Sequence, residues 1–552
     1  MDTAIRRRGV FLTPLHFAEK ACQYAEKMLG KRWAQSGDYR LWDMAAGTGH
    51  LELFLPKDFL PYCYLSTLEQ EDVQFLEKKF PSATVFRYDY LDDDVGKMPD
   101  ALRKDLADPK IKWIILVNPP YATAQEAGLK GTSKGGVSDT RIRTQMHADG
   151  LGEVSRELYV QFLYRIMHEF KHRETVLGLF SPIKYLVSTN YQKFRDNVFQ
   201  AAFQSGFVFS SENFGGTSKS SHFPVAFILW SIHPEKVGNL PFMKKFHLDI
   251  LDNTARKIGV KTLTPANRND FLSRWIQRPR GTSIFPPFSS ALTTKSGNVD
   301  TRNRIADGFL ASLMCPGNEL QNQQQTAFLS GPQVSAGALS VTPENFEQAV
   351  VVFAARRIPK DTWVNHVDQL MRPNRKLSPE FIADCAVWSL FDNKNQTAAL
   401  RNVVYQERVY QVVNHFFPFS VMKAGSATTW SDRIEPPNHP VAPAIACAPG
   451  FHDISCKKNS FVADYLAQQK LSPEAQAVLD RAKVIYRLYF ANLHLLQREK
   501  FKIETYDAGW YQIRQALLDA KLGDDLFADL KRQQDQLKEK ILPLLYDYGI
   551  LH

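Results

Sequence analysis

The amino-terminal part of the chain alternates short apolar runs with longer amphipathic segments. The apolar runs fall at 41–43, 62–68, 84–88, 113–117, 176–180 and 225–230. Helical patterns, such as those at 17–28 and 157–170, separate several of them. Strands that alternate with helices form a mostly parallel sheet covered on both faces, because each crossover helix packs back onto the sheet. We therefore predict a doubly wound α/β domain over residues 1–240.

The remainder of the chain has a different composition. With 552 residues, the chain exceeds the ~250–300 residues that one core supports. The stretch from Arg256 to Arg280 holds seven cations against one acid, Asp270, and we interpret 241–290 as a basic connector. Residues 291–552 are predicted to form a mixed α+β region. It becomes helical from Ser472-Pro473-Glu474, where an N-cap is followed by proline at the first helical position.

Charge and cysteine usage narrow the class of protein. The net charge of +10 favours a polyanionic partner such as nucleic acid, although an ordinary basic enzyme has the same balance. No run approaches the roughly 18 apolar residues of a membrane span, and no signal peptide is evident. The cysteines are scattered, as in a reducing cytoplasm. Cys447, His452 and Cys456 fit no common zinc spacing, so we predict no metal.

The first strand ends in a glycine-containing loop, Asp43-Met44-Ala45-Ala46-Gly47-Thr48-Gly49. The spacing is not GxGxxG, which disfavours a dinucleotide pyrophosphate. A tight loop of this kind can instead cradle the amino-acid end of S-adenosyl-L-methionine. Glu69 follows the second strand, where an acid can accept from ribose hydroxyls, and Asp89 follows the third, where it can accept from an exocyclic amine. Ligands bind at this carboxyl edge of a doubly wound sheet.

The fourth strand leads into Asn118-Pro119-Pro120-Tyr121. An exocyclic amine on an aromatic ring is a poor nucleophile, because its lone pair is delocalised into the ring. The Asn118 side-chain oxygen and the Pro119 carbonyl can accept its two hydrogens and localise the lone pair. Two prolines stiffen the loop so that both acceptors are preorganised. Tyr121 offers a ring on which a base can stack.

These motifs resemble the γ-class N6-adenine DNA methyltransferases over about residues 5–235. The stretch from Gly9 to Pro14 resembles the amino-terminal cofactor motif of that family. In this chain the large additional region follows the catalytic domain, which is the order of domains in the γ class. The resemblance implies a Rossmann-like class I methyltransferase domain, S-adenosyl-L-methionine as cofactor, and an adenine flipped out of duplex DNA. The cofactor contacts that it implies are Phe11, Thr13, Pro14, Asp43, Ala45, Gly47, Gly49, Glu69, Asp89 and Asn118.

The resemblance also implies an aromatic side chain that sandwiches the flipped base. Phe223, in His222-Phe223-Pro224-Val225-Ala226, matches that position, and Phe214 is a nearby rival. The predicted catalytic set is therefore Asn118, Pro119, Pro120, Tyr121 and Phe223.

Three groups of cations are candidates for binding DNA. Each has an alternative interpretation: a disordered surface loop for the first, a solvated charged face for the second, and structural arginines for the third. The groups are Lys130, Lys134, Arg141 and Arg143; Arg256, Lys257, Lys261 and Arg274; and Arg356 and Arg357.

Several functions remain open at this stage. The favoured one is site-specific adenine-N6 methylation of double-stranded DNA in a prokaryotic or phage-encoded cytoplasmic protein, with a separate restriction endonuclease as a candidate partner. An RNA adenine or a protein glutamine methyltransferase uses the same chemistry. A nucleic-acid-binding protein with an inactive methyltransferase fold is the non-enzymatic alternative.

Overall fold

The computed structural model describes residues 12–30, 32–121, 140–214, 222–236, 242–243, 245–265, 267–293, 304–333, 337–405, 407–419, 460–503 and 507–552. The chain divides into two compact units. The first comprises Met1–Asn267 and Thr362–Asp368, and the second comprises Arg268–Asp361 and Gln369–His552.

The first unit is built on a nine-stranded sheet in the order β3-β2-β1-β4-β5-β7-β6-β8-β9. The strands are β1 Tyr39–Asp43, β2 Cys63–Thr67, β3 Thr84–Arg87, β4 Lys112–Val117, β5 Thr175–Pro182, β6 Ala202–Ser210, β7 Pro224–Ile232, β8 Phe246–Leu251 and β9 Lys257–Leu263.

The pairing is parallel from β3 through β2, β1 and β4 to β5, and β7 runs antiparallel between β5 and β6. Every residue of β2, β5 and β7 is buried, as expected for strands covered on both faces. The predicted Rossmann-like α/β fold is confirmed.

The described helices of this unit bury apolar residues in its core. In α1, Phe17, Ala18, Ala21 and Ala25 lie on one buried face at the three-to-four-residue spacing of a helix. The helices are α1 Leu15–Leu29, α2 Gln70–Lys79, α3 Asp100–Ala107, α4 Arg141–Ala148, α5 Leu158–Phe170, α6 Lys184–Val187 and α7 Gln192–Asn197.

The segment interpreted as a basic connector, 241–290, contributes two strands to this sheet. β8 pairs parallel with β6, and β9 pairs antiparallel with β8 at the sheet edge. Within β9, Lys261 is buried and its Nζ lies 2.7 Å from Asp368 Oδ1. The short segment Thr362–Asp368 therefore belongs to the first unit, although about a hundred residues separate it from β9.

The second unit is mixed α+β with a helical carboxyl-terminal part, as predicted. It contains a four-stranded sheet in the order β14-β12-β13-β15 and the two-stranded pairs β10-β11 and β16-β17. The strands are β10 Ser283–Ile284, β11 Arg304–Ile305, β12 Ala311–Met314, β13 Ala327–Leu329, β14 Leu339–Val341, β15 Asn395–Gln396, β16 Leu400–Tyr405 and β17 Arg408–Val412.

The helices of the second unit share one apolar core. Ser472 Oγ accepts from the Ala475 amide at 3.2 Å and caps α12, with Pro473 as its first residue, as the sequence predicts. None of the helices in the described ranges is long and apolar enough to cross a membrane. The helices are α8 Leu272–Trp275, α9 Phe346–Arg357, α10 Pro379–Phe391, α11 Phe461–Ala467, α12 Pro473–Ala491, α13 Trp510–Asp519 and α14 Asp524–Asp547.

Candidate active site

The glycine loop leaves the carboxyl end of β1 as a tight turn. Asp43 Oδ1 accepts from the Ala45 amide at 2.8 Å. The Ala46 amide donates to the Ser66 carbonyl at 3.0 Å, and the Gly49 amide donates to the Ala46 carbonyl at 2.8 Å. These bonds join the loop to β2 and hold its backbone at the carboxyl edge of the sheet.

Gly47 and Gly49 are both required by the backbone of this turn. Their φ angles are 52° and 69°, a region that residues with a Cβ rarely adopt. A Cβ on Gly49 would lie 2.4 Å from Phe80 Cε2, whereas one on Gly47 has no heavy atom closer than 3.9 Å. Gly49 therefore lets the loop approach α2, and Gly47 leaves open space at the turn.

Two carboxyl groups are buried beneath the loop. Asp43 is 1% exposed and Glu52 is 2% exposed. Burial, followed by the charge of Glu52, raises the pKa of Asp43 well above its ordinary value. Burial also raises the pKa of Glu52. Both shifts favour the protonated, neutral form of these carboxyl groups.

The loop residues fit the polar amino-acid end of S-adenosyl-L-methionine. The Thr48 hydroxyl is buried and has no hydrogen-bond partner among the described residues, so a bound ligand can satisfy it. Lys79 Nζ donates to the Thr48 carbonyl at 2.8 Å and to the Gly49 carbonyl at 3.3 Å. A polar cradle with an unsatisfied hydroxyl suits a ligand that carries both an ammonium and a carboxylate.

Glu69 and Asp89 lie just beyond the carboxyl ends of the next two strands. Glu69 is exposed and immediately precedes α2. Asp89 is half-buried, and its Oδ1 accepts from the Leu91 amide at 2.9 Å and the Asp92 amide at 3.2 Å. Because β1, β2 and β3 are parallel neighbours, both acids share the sheet edge of the glycine loop.

Asn118 follows β4, directly beside the strand that carries the glycine loop. Its Nδ2 donates to Thr13 Oγ1 at 2.9 Å, and its Oδ1 accepts from the Tyr121 hydroxyl at 2.7 Å. The sheet order reverses between β1 and β4, and a crevice at such a switch point is where open α/β sheets bind ligands. The predicted cofactor and catalytic loops therefore meet at one place.

Tyr121 of the predicted catalytic loop contacts one of the two candidate aromatic side chains, Phe214. Tyr121 is 9% exposed, and burial raises its pKa well above the ordinary value, so its hydroxyl is neutral. Its ring meets Phe214 edge-on with centroids 6.0 Å apart. Phe223 is half-buried, and its amide donates to Ser211 Oγ at 3.1 Å. Both rivals for the aromatic position thus belong to the segment that joins β6 to β7.

Thr13 connects the two loops. It is 4% exposed, and its carbonyl lies 2.7 Å from His50 Nδ1 in the glycine loop, while its hydroxyl accepts from Asn118. Pro14 follows as the residue before α1. Phe11 lies outside the described residues.

Sequence reasoning did not single out His50, Glu52 or Lys79. Glu52 carried a usable signal, because it is an acid between Leu51 and Leu53 in an apolar run. His50 and Lys79 act through backbone carbonyls, which no side-chain motif records.

The predicted DNA-binding cations are found in different settings. Lys130 and Lys134 lie outside the described residues. Arg141 is exposed and donates to the Asp92 and Asp93 carbonyls, and Arg143 is half-buried. The side chain of Arg256 is 80% exposed and that of Lys257 is 55% exposed. Arg274 is also exposed.

Lys261, Arg356 and Arg357 face the interior of their own units. Lys261 is paired with Asp368, as described above. Arg356 is 2% exposed and donates to Thr326 Oγ1, the Gly317 carbonyl and the Pro316 carbonyl at 2.9, 3.1 and 2.7 Å. Arg357 forms an ion pair with Asp392 at 3.0 Å. These contacts are those of structural cations, the alternative interpretation of the arginine pair.

No cluster of three or more metal-binding side chains occurs in the described parts of the chain. Cys447, His452 and Cys456 lie outside them.

Comparison of the sequence with protein-family models and with curated proteins gives no match. Among solved structures, the DrdV–DNA complex aligns at 15% identity over 49% of this chain and 33% of that chain, with a TM-score of 0.34. The ATP-dependent Type ISP restriction-modification enzyme LlaBIII bound to DNA aligns at 13% identity over 57% of this chain and 24% of that chain, with a TM-score of 0.32.

The M protein of the Type I restriction enzyme EcoKI aligns at 12% identity over 44% of this chain and 48% of that chain, with a TM-score of 0.28. The alignments cover less than half the length of each of these three chains. Likenesses at this level concern the fold alone.

Proposed function

We propose that the protein is an S-adenosyl-L-methionine-dependent methyltransferase that acts on the N6 amino group of adenine in duplex DNA. The observation that carries the proposal is the position of the Asn118 amide. It lies at the switch point of the sheet, between Thr13 and Tyr121, beside the glycine loop. At this place, an amide that accepts a hydrogen from a target amine explains the arrangement better than a purely structural turn does.

Asp43, Gly47, Thr48 and Gly49 would hold the amino-acid end of the cofactor, and Glu69 and Asp89 its nucleoside end. When bound, S-adenosyl-L-methionine supplies an electrophilic methyl group on a sulfonium centre.

Asn118 Oδ1 and the Pro119 carbonyl accept the two hydrogens of the target amine. This localises the nitrogen lone pair, and the preorganised loop requires little rearrangement for it. Tyr121 donates its hydroxyl to the same oxygen in the present structure. An amide oxygen has two lone pairs, so it can accept from both the tyrosine and the target amine.

Tyr121 with Phe214 or Phe223 would hold the flipped base by stacking. Extruding a base costs a few kcal/mol, and aromatic stacking returns about 1–3 kcal/mol per base. The exposed cations Arg141, Arg256, Lys257 and Arg274 are the candidates for phosphate contacts. A separate restriction endonuclease remains a candidate partner.

The test is transfer of a tritiated methyl group from S-adenosyl-L-methionine to unmethylated genomic DNA, followed by digestion to nucleosides. The matched variants are Asn118→Ala and Asn197→Ala, since Asn197 is an exposed asparagine at the end of α7 in the same unit. We expect label in N6-methyl-2′-deoxyadenosine with the wild type and with Asn197→Ala, and none with Asn118→Ala.

Other distributions of label contradict the proposal in distinct ways. Label in RNA or protein, and none in DNA, would transfer the assignment to the alternative substrates. Label in cytosine would retain the fold but refute the adenine specificity. Cofactor binding without transfer to any substrate would favour the non-enzymatic alternative.

A further inference from the structure

Asn118 can present either end of its amide, and only one end suits the proposed chemistry. The oxygen accepts hydrogens from an amine, whereas the NH₂ group would repel it by presenting donors to donors. A half-turn about the last side-chain bond exchanges the two ends. An enzyme of this kind therefore needs something that prevents the half-turn before the base arrives.

Thr13 is in position to do this. Its Oγ1 accepts from Asn118 Nδ2 at 2.9 Å, and at 4% exposure it is shielded from competing water. Its own main chain is held by His50, whose Nδ1 lies 2.7 Å from the Thr13 carbonyl. The hydroxyl is thus a buried acceptor with a defined position, which favours the NH₂ end of the amide on its side.

The second contact of Asn118 agrees with this orientation. Tyr121 donates its hydroxyl to Asn118 Oδ1 at 2.7 Å, on the opposite end of the same amide. A threonine hydroxyl alone can donate or accept, but the two contacts together make a consistent chain in which Tyr121 donates and Thr13 accepts.

We propose that Thr13 is a positioning residue that keeps the Asn118 amide turned with its oxygen toward the reacting amine. This rests on the proposed function and adds to it a role for Thr13 through Asn118 that is separate from any contact with the cofactor. Because the His50 contact anchors Thr13 to the glycine loop, the orientation of the catalytic amide depends on the cofactor loop being in place.

The test compares Thr13→Val, Thr13→Ser and the control Thr175→Val. Valine keeps the shape of threonine and removes the acceptor, whereas serine keeps the acceptor. Thr175 is also buried, at 1% exposure, and donates to the Arg173 carbonyl at 3.1 Å. It lies at the amino end of β5, away from the carboxyl edge of the sheet.

We expect Thr13→Val to lower kcat about tenfold, because the lost hydrogen bond holds the orientation of the Asn118 amide and a net hydrogen bond is worth about that factor. KM for S-adenosyl-L-methionine should stay within about twofold, because the lost contact acts after cofactor binding. Thr13→Ser should retain most of the wild-type kcat. Thr175→Val should also retain it, while lowering Tm about as much as Thr13→Val does.

Three kinetic results would overturn the proposal: an unchanged kcat for Thr13→Val, a loss confined to the KM of the cofactor, or an equal loss of kcat in Thr175→Val. Failure of Thr13→Ser to restore kcat would also count against it.

Neutron crystal structures of the three variants, in which deuterium atoms mark the nitrogen of the Asn118 amide, separate this inference from the proposed function. The Asn118 amide should rotate or move in Thr13→Val and stay in place in Thr13→Ser and Thr175→Val. An unmoved amide in Thr13→Val refutes the positioning role even if the wild type methylates DNA. A wild type that transfers no methyl group refutes the proposed function, and the position of the amide still decides the role of Thr13.

Discussion

Glu52 is an acidic side chain in the interior of the first unit. It is 2% exposed, and neither carboxyl oxygen makes a hydrogen bond of normal geometry to the described residues. Burial raises its pKa, so the folded protein binds a proton here more tightly than the unfolded chain. Stability from this group is complete below the ordinary glutamate pKa and is lost as the pH rises through the raised value.

We predict that Glu52→Gln stabilises the protein increasingly as the pH rises from the ordinary glutamate pKa to the raised pKa of Glu52 at about 7. Above that pH the difference should level off at roughly 1–3 kcal/mol. The measurement is the free energy of unfolding in urea at each pH. Glu77→Gln, at an exposed position on α2, should show no such trend. A Glu52→Gln difference that is constant or shrinks with pH would refute the buried-acid interpretation.

The settings of some candidate residues could be predicted from the sequence, and those of others could not. Asn118, Tyr121, Asp43 and the two glycines stand in contiguous motifs whose chemistry can be read locally. The burial of Arg356 could not be predicted, because it depends on contacts with Pro316, Gly317 and Thr326. These residues are 30 to 40 positions away. A basic residue on a helix looks the same in sequence whether it faces solvent or a set of carbonyl groups.

At the scale of elements, the glycine loop is the clearest case of a conformation that only certain residues can adopt. Gly47 and Gly49 both have positive φ angles, but only Gly49 is also crowded by Phe80 and Leu76. The two positions therefore separate the cost of backbone strain from the cost of a steric clash.

We predict that Gly47→Ala costs about 1 kcal/mol of stability and Gly49→Ala about 3 kcal/mol, because the second adds overpacking to the left-handed penalty. Urea unfolding measures both. Gly37→Ala is the control, since its φ is 74° and nothing lies within 4 Å of its Cβ position, and it should match Gly47→Ala. Equal costs at 47 and 49 would show that the loop relaxes away from α2.

The doubly wound fold was predicted from the alternation of strands and helices, whereas the order of the strands was not. The sequence did not predict which aromatic side chain contacts Tyr121, because Phe214 and Phe223 lie in the same connection, nine positions apart. Which ring faces Tyr121 depends on the path of the chain between β6 and β7, and sequence periodicity carries no information about it.

At the scale of the molecule, the first unit is completed by a short segment from far along the chain. Lys261 is 3% exposed at its side chain and pairs with Asp368, which is 19% exposed. A buried ammonium that loses its carboxylate is strongly destabilising, whereas replacing both partners by apolar groups often is not.

We predict that Asp368→Asn lowers the free energy of unfolding by about 2–3 kcal/mol, and that the double variant Lys261→Met with Asp368→Asn recovers most of it. Chemical denaturation of the full chain tests this. Glu174→Gln breaks the exposed pair with Lys112 and should cost less than about 1 kcal/mol. A double variant less stable than Asp368→Asn would contradict the expectation.

Under the proposed function, the net charge of +10 predicts a strong dependence of DNA affinity on salt. Non-specific affinity should fall by about 10²–10⁴ between roughly 50 and 200 mM salt. Arg256→Ala with Lys257→Ala should reduce the slope of log K against log salt by about 1–2. Lys104→Ala with Lys110→Ala, before the amino end of β4, should leave the slope unchanged. Titration of a labelled duplex by fluorescence anisotropy measures all three, and equal slopes for both double variants would exclude β9 as a phosphate contact.

Because Thr362–Asp368 belongs to the first unit, it also affects when that unit can complete its folding during synthesis. Asp368 leaves the ribosome 107 residues after Lys261, an interval of about 5–20 s at ordinary elongation rates. During that interval Lys261 lacks Asp368 as its counter-ion, and we expect the edge strand β9 to be less stable. A ribosome-arrested chain that stops short of Asp368 should therefore remain a protease-sensitive intermediate, and release of a few further residues should close it.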